Sequence, residues 1–247
     1  LAVTTGVQNT LVGGLAGDAL TDGNTNVAVG YEALGSETRG DRNVAIGRLA
    51  LSSQNNTSDT DVYNVAVGYN TGLSVTTGVQ NTLIGGLAGD ALTTGMNNVA
   101  IGYSALSTDD ASSCNVAIGA HALEDLNVDS TAYNTAVGHA AGRDILTGVQ
   151  NTLIGGLAGD ALTTGTDNVA VGYLSLSTED GHGRNVAVGK AALRNLDAGA
   201  DAYNVAVGFE AGTAVTTGVQ NTIMGGLAGD ALTTGNYNIA IGHTALS

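Results

Sequence analysis

The sequence predicts an all-β fold, a parallel β-solenoid or β-roll of about fourteen coils, where a coil is one repeat of about seventeen residues. Three observations predict it. A five-residue word recurs along the whole chain, its spacing is nearly constant, and each copy centres on three consecutive apolar residues. Such repeats decide the fold class, because stacked repeats bury a core that a single repeat cannot bury.

The recurring word is Asn, then Val, Thr or Ile, then Ala, Leu or Ile, then Val, Ile or Met, and finally Gly. Ten of its thirteen spacings equal the step from Asn9 to Asn26, and the other three are two or four positions longer. Its asparagines are Asn9, Asn26, Asn43, Asn64, Asn81, Asn98, Asn115, Asn134, Asn151, Asn168, Asn185, Asn204, Asn221 and Asn238. Its glycines are Gly13, Gly30, Gly47, Gly68, Gly85, Gly102, Gly119, Gly138, Gly155, Gly172, Gly189, Gly208, Gly225 and Gly242.

The sequence also has a second, longer repeat period. The phrase TGVQNT returns every four coils, which divides the chain into groups at about 9–80, 81–150 and 151–220 and a partial group at 221–247. The longer spacings always separate the third coil from the fourth, so each complete group has one enlarged loop. Both ends fall inside a repeat. We therefore expect a single repeat array over 1–247, cut from a longer protein.

The apolar run predicts a short strand. In Val27-Ala28-Val29, β-branched residues flank a small one, and Asn and Gly bracket the run as turn formers. Consecutive apolar residues indicate a strand that is buried on both faces. One face can look into the core of its own coil, whereas the other needs a cover, for which a partner chain is the simplest candidate. Segments such as Tyr31-Glu32-Ala33-Leu34 allow at most one helical turn.

Stacking assigns structural roles to the invariant residues. Strands of successive coils would pair about 4.8 Å apart, so fourteen coils would extend about 65 Å. The asparagines would form a ladder whose side-chain amides bond up and down the stack. The glycines would serve a tight turn or a close approach of chains.

Composition excludes several classes of protein. The net charge of −15 argues against a nucleic-acid partner. No run reaches the roughly 20 apolar residues of a membrane span. Collagen is excluded because the chain has no proline and glycine does not recur every third residue. The single cysteine, Cys114, stands where equivalent coils carry Arg42 and Arg184, so we expect it to have no redox role.

The coils resemble the repeats of a known family. NVAIG, NVAVG and NTAVG, each followed by x-x-Ala, are similar to the repeats of trimeric autotransporter adhesin heads and, more closely, to those of bacteriophage tail-fibre shafts. The resemblance covers essentially the whole chain. It implies a homotrimer built as a left-handed β-roll at a cell or virion surface. Coils of the adhesin family are shorter than those of this chain, so the handedness and the cross-section stay open.

No catalytic arrangement is visible, and we expect neither an enzyme nor a cofactor. The four histidines, His121, His139, His182 and His243, occupy unrelated positions. Calcium is the one metal suggested, because GGLAGDAL nearly matches the calcium-binding nonapeptide GGxGxDxUx. Its aspartates, Asp18, Asp90, Asp160 and Asp230, occur once in four coils and not in tandem. We therefore favour a turn-capping role for them over calcium binding.

Three functions remain. The leading hypothesis is a structural shaft of an extracellular or virion fibre. The alternatives are an adhesin whose enlarged loops bind a cell-surface glycan or receptor, and an extracellular filament of monomeric solenoids. Variable loops on a constant scaffold are typical of recognition, and tolerated insertion explains them equally well. The candidate receptor-facing residues are Asn55, Asp59, Asp61, Glu124, Asp125, Asp129, Arg194, Asp197 and Asp201.

Overall fold

The structure, a computed structural model, describes residues 3–247, and in that part of the chain it has sixteen β-strands and no helix. The strands are β1 (Thr10–Val12), β2 (Val27–Val29), β3 (Gly40–Asp41), β4 (Val44–Ile46), β5 (Thr60–Asp61), β6 (Val65–Val67), β7 (Thr82–Ile84), β8 (Val99–Ile101), β9 (Val116–Ile118), β10 (Thr135–Val137), β11 (Thr152–Ile154), β12 (Val169–Val171), β13 (Val186–Val188), β14 (Val205–Val207), β15 (Thr222–Met224) and β16 (Ile239–Ile241). All their pairings are parallel, which confirms the predicted β-solenoid of about fourteen coils.

The chain divides into two compact structural units, Leu1–Ala120 with Asn127–Thr131, and His121–Leu126 with Ala132–Ser247. In the first unit, β1, β2, β4, β6, β7, β8 and β9 form one parallel ladder in that order, and β3 pairs with β5. In the second unit, β10 to β16 pair in chain order. No helix in the described residues could cross a membrane.

Register is kept from coil to coil. Ala28 lies opposite Ala45, the equivalent residue of the next coil. Where an enlarged loop intervenes, Val44 pairs with Val65 and Val186 with Val205. The extra residues therefore leave the ladder undisturbed.

Every coil after the first buries the middle residue of its strand and leaves the outer two at least partly exposed. Ala28, for example, is fully buried between half-buried Val27 and Val29. Because side chains alternate along a strand, the middle residue faces the core of the coil and the flanking pair faces outward. The sequence predicted burial on both faces, and a single chain provides it on one.

Two further positions, the fourth and the seventh residues after the motif glycine, contribute to the core. Where the fourth residue after the motif glycine is Gly72, the seventh is the large Val75. A Cβ on Gly72 would lie 2.8 Å from Leu83 Cδ1 and 3.0 Å from Leu51 Cδ2, so the leucines of neighbouring coils already occupy that space. Where the fourth residue is Leu34, the seventh is Glu37. A glycine at the fourth position thus leaves room for leucines of the neighbouring coils, which keeps the packing close.

The segment after the motif glycine is not helical. Glu32 and Leu34 have φ angles of 53°, in the left-handed region, and equivalent residues repeat this in the other coils. The single helical turn that the sequence allowed is therefore replaced by a tight turn with alternating backbone handedness.

Candidate functional site

The motif asparagines form a buried ladder that bonds mainly to backbone. Asn98 shows the pattern: its Oδ1 accepts from the N–H of Asn115 at 2.9 Å, and its Nδ2 donates to the carbonyl of Ser112 at 2.9 Å. Direct contacts between amides are longer, as at 3.3 Å from Asn115 Nδ2 to Asn98 Oδ1. The twelve asparagines from Asn26 to Asn221 are fully buried. Apart from Asn43, whose Nδ2 has no hydrogen-bond partner among the described residues, these amides therefore pair with backbone groups that the coil would otherwise bury unpaired.

The motif glycines meet two constraints at once. Their φ angles run from 124° at Gly242 to 148° at Gly68, a region that side chains rarely adopt. A Cβ on Gly102 would also lie 2.5 Å from both the carbonyl carbon and the carbonyl oxygen of Gly119. The residue must therefore be glycine for its conformation and for the approach of the next coil.

The loop at 52–62 is tied to the coil beside it. Thr38 Oγ1 donates to Asn55 Oδ1 at 2.9 Å, Asp59 lies 3.9 Å from Arg39, and Asp61 forms an ion pair with Arg42. Asn55, Asp59 and Asp61 are nevertheless exposed, whereas Val62 is fully buried.

The other two loops are anchored in a similar way. At 124–132, Glu124 lies 2.9 Å from His121 and is half-buried, as is Asp125, and Asp129 is exposed. At 194–202, Asp201 pairs with Arg184, and Arg194 and Asp197 are exposed. The core includes Leu126, Leu196 and the two loop-ending alanines, Ala132 and Ala202. The nine candidate receptor-facing residues thus lie on three separate loops, which are partly built into the core.

The four aspartates of the calcium-like motif do not gather ligands. In residues 3–247, the one group of three or more His, Cys, Asp or Glu side chains that could share an ion includes none of them. Asp90 and Asp160 each keep Oδ1 buried without a hydrogen-bond partner among the described residues. Burial raises the pKa of both carboxyls, against the lowering effect of nearby backbone N–H groups.

These two aspartates give a pH-dependent prediction. A carboxyl whose pKa is raised on folding contributes stability that is present below its unfolded pKa and is lost as pH rises through the folded pKa. We therefore expect Asp90→Asn combined with Asp160→Asn to raise the melting temperature at pH 7, and by less at about pH 3.5, near the unfolded pKa. Thermal unfolding at both pH values measures this. Asp59→Asn with Asp129→Asn removes the same charge at exposed positions, and an equal rise in that pair would contradict a burial effect.

An uncharged outward face recurs along the strands of each structural unit. We call it the apolar stripe, and it consists of the first and third residues of the three-residue strands. Every first residue is Val, Thr or Ile, and every third is Val, Ile or Met. Ile84 is 36% exposed in the first unit, and Ile154 is 40% exposed in the second. Regular apolar surfaces of this kind mark interaction sites.

Aromatic and basic side chains border the apolar stripe. Arg48 lies between two rings, 5.9 Å from the centre of Tyr31 and 5.6 Å from that of Tyr69. Arg184 lies 5.5 Å from the ring centre of Tyr203. Cations at these distances are attracted by the ring faces. Arg48 and Arg184 are therefore held in place beside the stripe.

Sequence reasoning missed a set of buried carboxylates. Glu37, Asp109 and Glu179 are fully buried and stand six residues before a motif asparagine, where the other coils without an enlarged loop have Leu20, Leu92 or a similar aliphatic residue. Aligning the coils would have exposed this exchange of an apolar residue for an acid.

The third of these carboxylates belongs to the group that could share an ion. Glu179, Asp180, His182 and Asp197 each present one ligand atom, and these atoms lie within 4.8 Å of one another. Burial raises the pKa of the Glu179 carboxyl, and its hydrogen bonds with His182 oppose that rise. The imidazole Nδ1 lies 2.9 Å from Glu179 Oε1.

No protein-family model, curated protein or solved structure matches the chain.

Proposed function

We propose that the chain is a shaft segment of an extracellular or virion fibre, and that three copies assemble along their apolar stripes. The apolar stripe carries this proposal, because a chain with 22 acidic residues places none of them on it. An uncharged apolar surface gains free energy when it leaves water, at about 25 cal/mol per Å². A single chain leaves that gain unrealised.

A second copy of the same chain is the partner that fits best. The stripe repeats once per coil, and only a chain of the same coil spacing presents a matching row at every level. Tyr and Arg, which border the stripe, are enriched at protein interfaces. No acidic residue lies on the stripe itself, so packing stripe against stripe places no carboxylate against another within it. Three copies are proposed, and not two, because of the resemblance to trimeric fibre repeats.

The remainder of the molecule suits a spacer. The asparagine ladder and the glycine contacts stiffen successive coils, and the enlarged loops add surface without altering the strand register. Receptor or glycan binding by those loops is a second proposal, favoured by the exposure of Asp59, Asp129 and Asp201 and by the difference in sequence among the three loops.

Ile84→Asp combined with Ile154→Asp tests the assembly. Both side chains are exposed in the single chain, so each coil should still fold, but a buried unpaired carboxylate would be costly in an interface. We expect light scattering to show a fall in mass from three chains to one. Asn127→Asp with Ala200→Asp adds the same charge on exposed loop positions and should leave the mass unchanged. A double stripe variant with the same mass as the unmodified chain would refute assembly along the stripes.

A further inference from the structure

Hydrogen bonds with neighbouring coils fix the backbone of His182 and of the residues that surround it. Thr163 Oγ1 donates to the carbonyl of Asp180 at 2.8 Å, and Asn168 Nδ2 donates to the carbonyl of His182 at 3.1 Å. The N–H of Asp197 donates to the carbonyl of Thr216 at 2.7 Å. The turn and the loop that carry the four side chains are therefore positioned before any ligand arrives.

In the first structural unit, Glu37 is the equivalent of Glu179, and its carboxylate only caps a turn. Glu37 Oε1 accepts four backbone N–H groups, from Thr38, Arg39, Gly40 and Asn56. Its Oε2 accepts two side-chain amides, from Gln54 at 2.8 Å and from Asn56 at 3.0 Å. That carboxylate is fully satisfied by neutral donors.

Glu179 lacks most of those donors. Its Oε1 accepts from the N–H of His182 at 3.2 Å and contacts the ring Nδ1 at 2.9 Å, whereas the described bond to Oε2 comes from the N–H of Ala198 at 3.4 Å. Leu196 stands where Gln54 stands in the first unit, so one amide donor has been replaced by an apolar side chain. A fully buried oxygen is thus left with one long hydrogen bond.

Two residues near Glu179 are possible metal ligands, whereas their equivalents in the corresponding coils of the other groups are not. His182 occupies the position of Gly40 and Ser112, three residues before the motif asparagine. Asp197 occupies the position of Asn55 and Asn127, eight residues after the motif glycine. Neutral or non-ligating residues have been exchanged for an imidazole and a carboxylate, both of which are metal ligands.

We propose that Glu179, Asp180, His182 and Asp197 bind a divalent transition-metal ion such as Zn²⁺. One imidazole nitrogen with carboxylate oxygens suits zinc and its neighbours, whereas calcium prefers oxygen ligands alone. With metal–ligand bonds of about 2.1 Å, the 2.9 Å separation of Glu179 Oε1 and His182 Nδ1 corresponds to a ligand–metal–ligand angle of about 90°. The four ligand atoms lie within 4.8 Å of one another, whereas two ligand atoms on opposite sides of an ion would be roughly 4.2 Å apart at such bond lengths. The side chains of Asp180 and Asp197 are exposed, so they are free to rotate towards the ion and close this small difference.

The ion would attach the 194–202 loop to the preceding coil. In the first structural unit, the ion pair of Asp61 with Arg42 and the bond from Thr38 to Asn55 hold the loop. In the 194–202 loop, Asp201 near the C-terminal end pairs with Arg184. Asp197, nearer the N-terminal end of the loop, would be attached to the coil through the metal ion. Three carboxylates at one place repel one another, and a divalent cation removes that repulsion.

Calorimetric titration of the full, untagged chain with Zn²⁺ tests the site, and absorption of the Co²⁺ form reports nitrogen ligation. We expect one ion per chain. His182→Ser, which installs the residue of the equivalent Ser112 turn, should weaken Zn²⁺ binding at least tenfold and change the Co²⁺ spectrum. Asp197→Asn, which installs the residue of Asn55, should also weaken it. His243→Ser, at an exposed histidine, should change neither measurement.

Thermal unfolding without metal shows whether each variant is folded, so loss of binding can be separated from loss of structure. A Zn²⁺-dependent rise in melting temperature that disappears in a folded His182→Ser variant supports the site. Absence of Zn²⁺ uptake at millimolar concentration would overturn the proposal. Equal weakening by His182→Ser and His243→Ser, or binding of Ca²⁺ as tight as that of Zn²⁺ and indifferent to His182, would overturn it as well.

Discussion

Gly102→Ala is expected to destabilise the protein by about 3 kcal/mol or more, the range typical of a buried clash combined with backbone strain. The added Cβ would lie 2.5 Å from the carbonyl carbon and oxygen of Gly119 and 2.8 Å from the backbone nitrogen of Ala120. Backbone atoms cannot swing aside as a side-chain end can, so β8 and β9 would have to separate. Gly102→Val should cost more still, because a branched side chain adds to the same clash.

Gly199→Ala is the matched control. Gly199 also has a positive φ, of 67°, but a Cβ there would have no atom within 4 Å. Gly199→Ala should lower the free energy of unfolding by about 1 kcal/mol, the ordinary penalty of placing a side chain in the left-handed region. Denaturant unfolding of the two variants gives both values. Equal losses would mean that coil contact at the motif glycine is not what stabilises the stack.

Asn98→Asp is expected to cost about 3 kcal/mol or more at neutral pH, since it places an unpaired charge in the core. The change is nearly isosteric, but it removes the Nδ2–H that donates to the carbonyl of Ser112. The carboxylate would keep its acceptor role towards the N–H of Asn115. Because burial penalises the charged form, the folded pKa of the new carboxyl would exceed its unfolded value. The loss should therefore grow as pH rises and shrink in acid.

Asn127→Asp, at an exposed loop position, introduces the same charge without burial and should change stability by less than about 0.5 kcal/mol. Urea unfolding of both variants at pH 4 and pH 7 measures the difference. If the two variants have the same stability at pH 7, the ladder amides contribute little to holding the coils together.

The coil, its strand and the register were predictable because they repeat. A nearly constant period with an apolar run bracketed by Asn and Gly is visible without any structure, and each three-residue strand in both units matches one copy of the word. The asparagine ladder follows from the same stacking. The hydrogen-bond partners of the ladder could not be predicted in this way. Whether Asn98 bonds an amide or the carbonyl of Ser112 depends on the path of the next coil.

The remaining features depend on contacts between coils that differ in sequence. The left-handed conformations of Glu32 and Leu34 are imposed by the closing of a short coil, and no local propensity predicts them. Within the 194–202 loop, the full burial of Leu196 and Ala202 is one such feature. The cluster of possible metal ligands joins Glu179 to Asp197, which lies on an enlarged loop, and a search for fixed metal-binding spacings does not detect it.

Light scattering of the unmodified chain, followed over dilution, tests the central proposal most directly. The apolar stripes, with no acidic residue on them and no cover in a single chain, predict self-association that persists on dilution. With the three copies proposed, the particle would have three times the chain mass of 24.3 kDa. A particle of 24.3 kDa at every concentration would contradict the trimeric shaft and leave a monomeric solenoid.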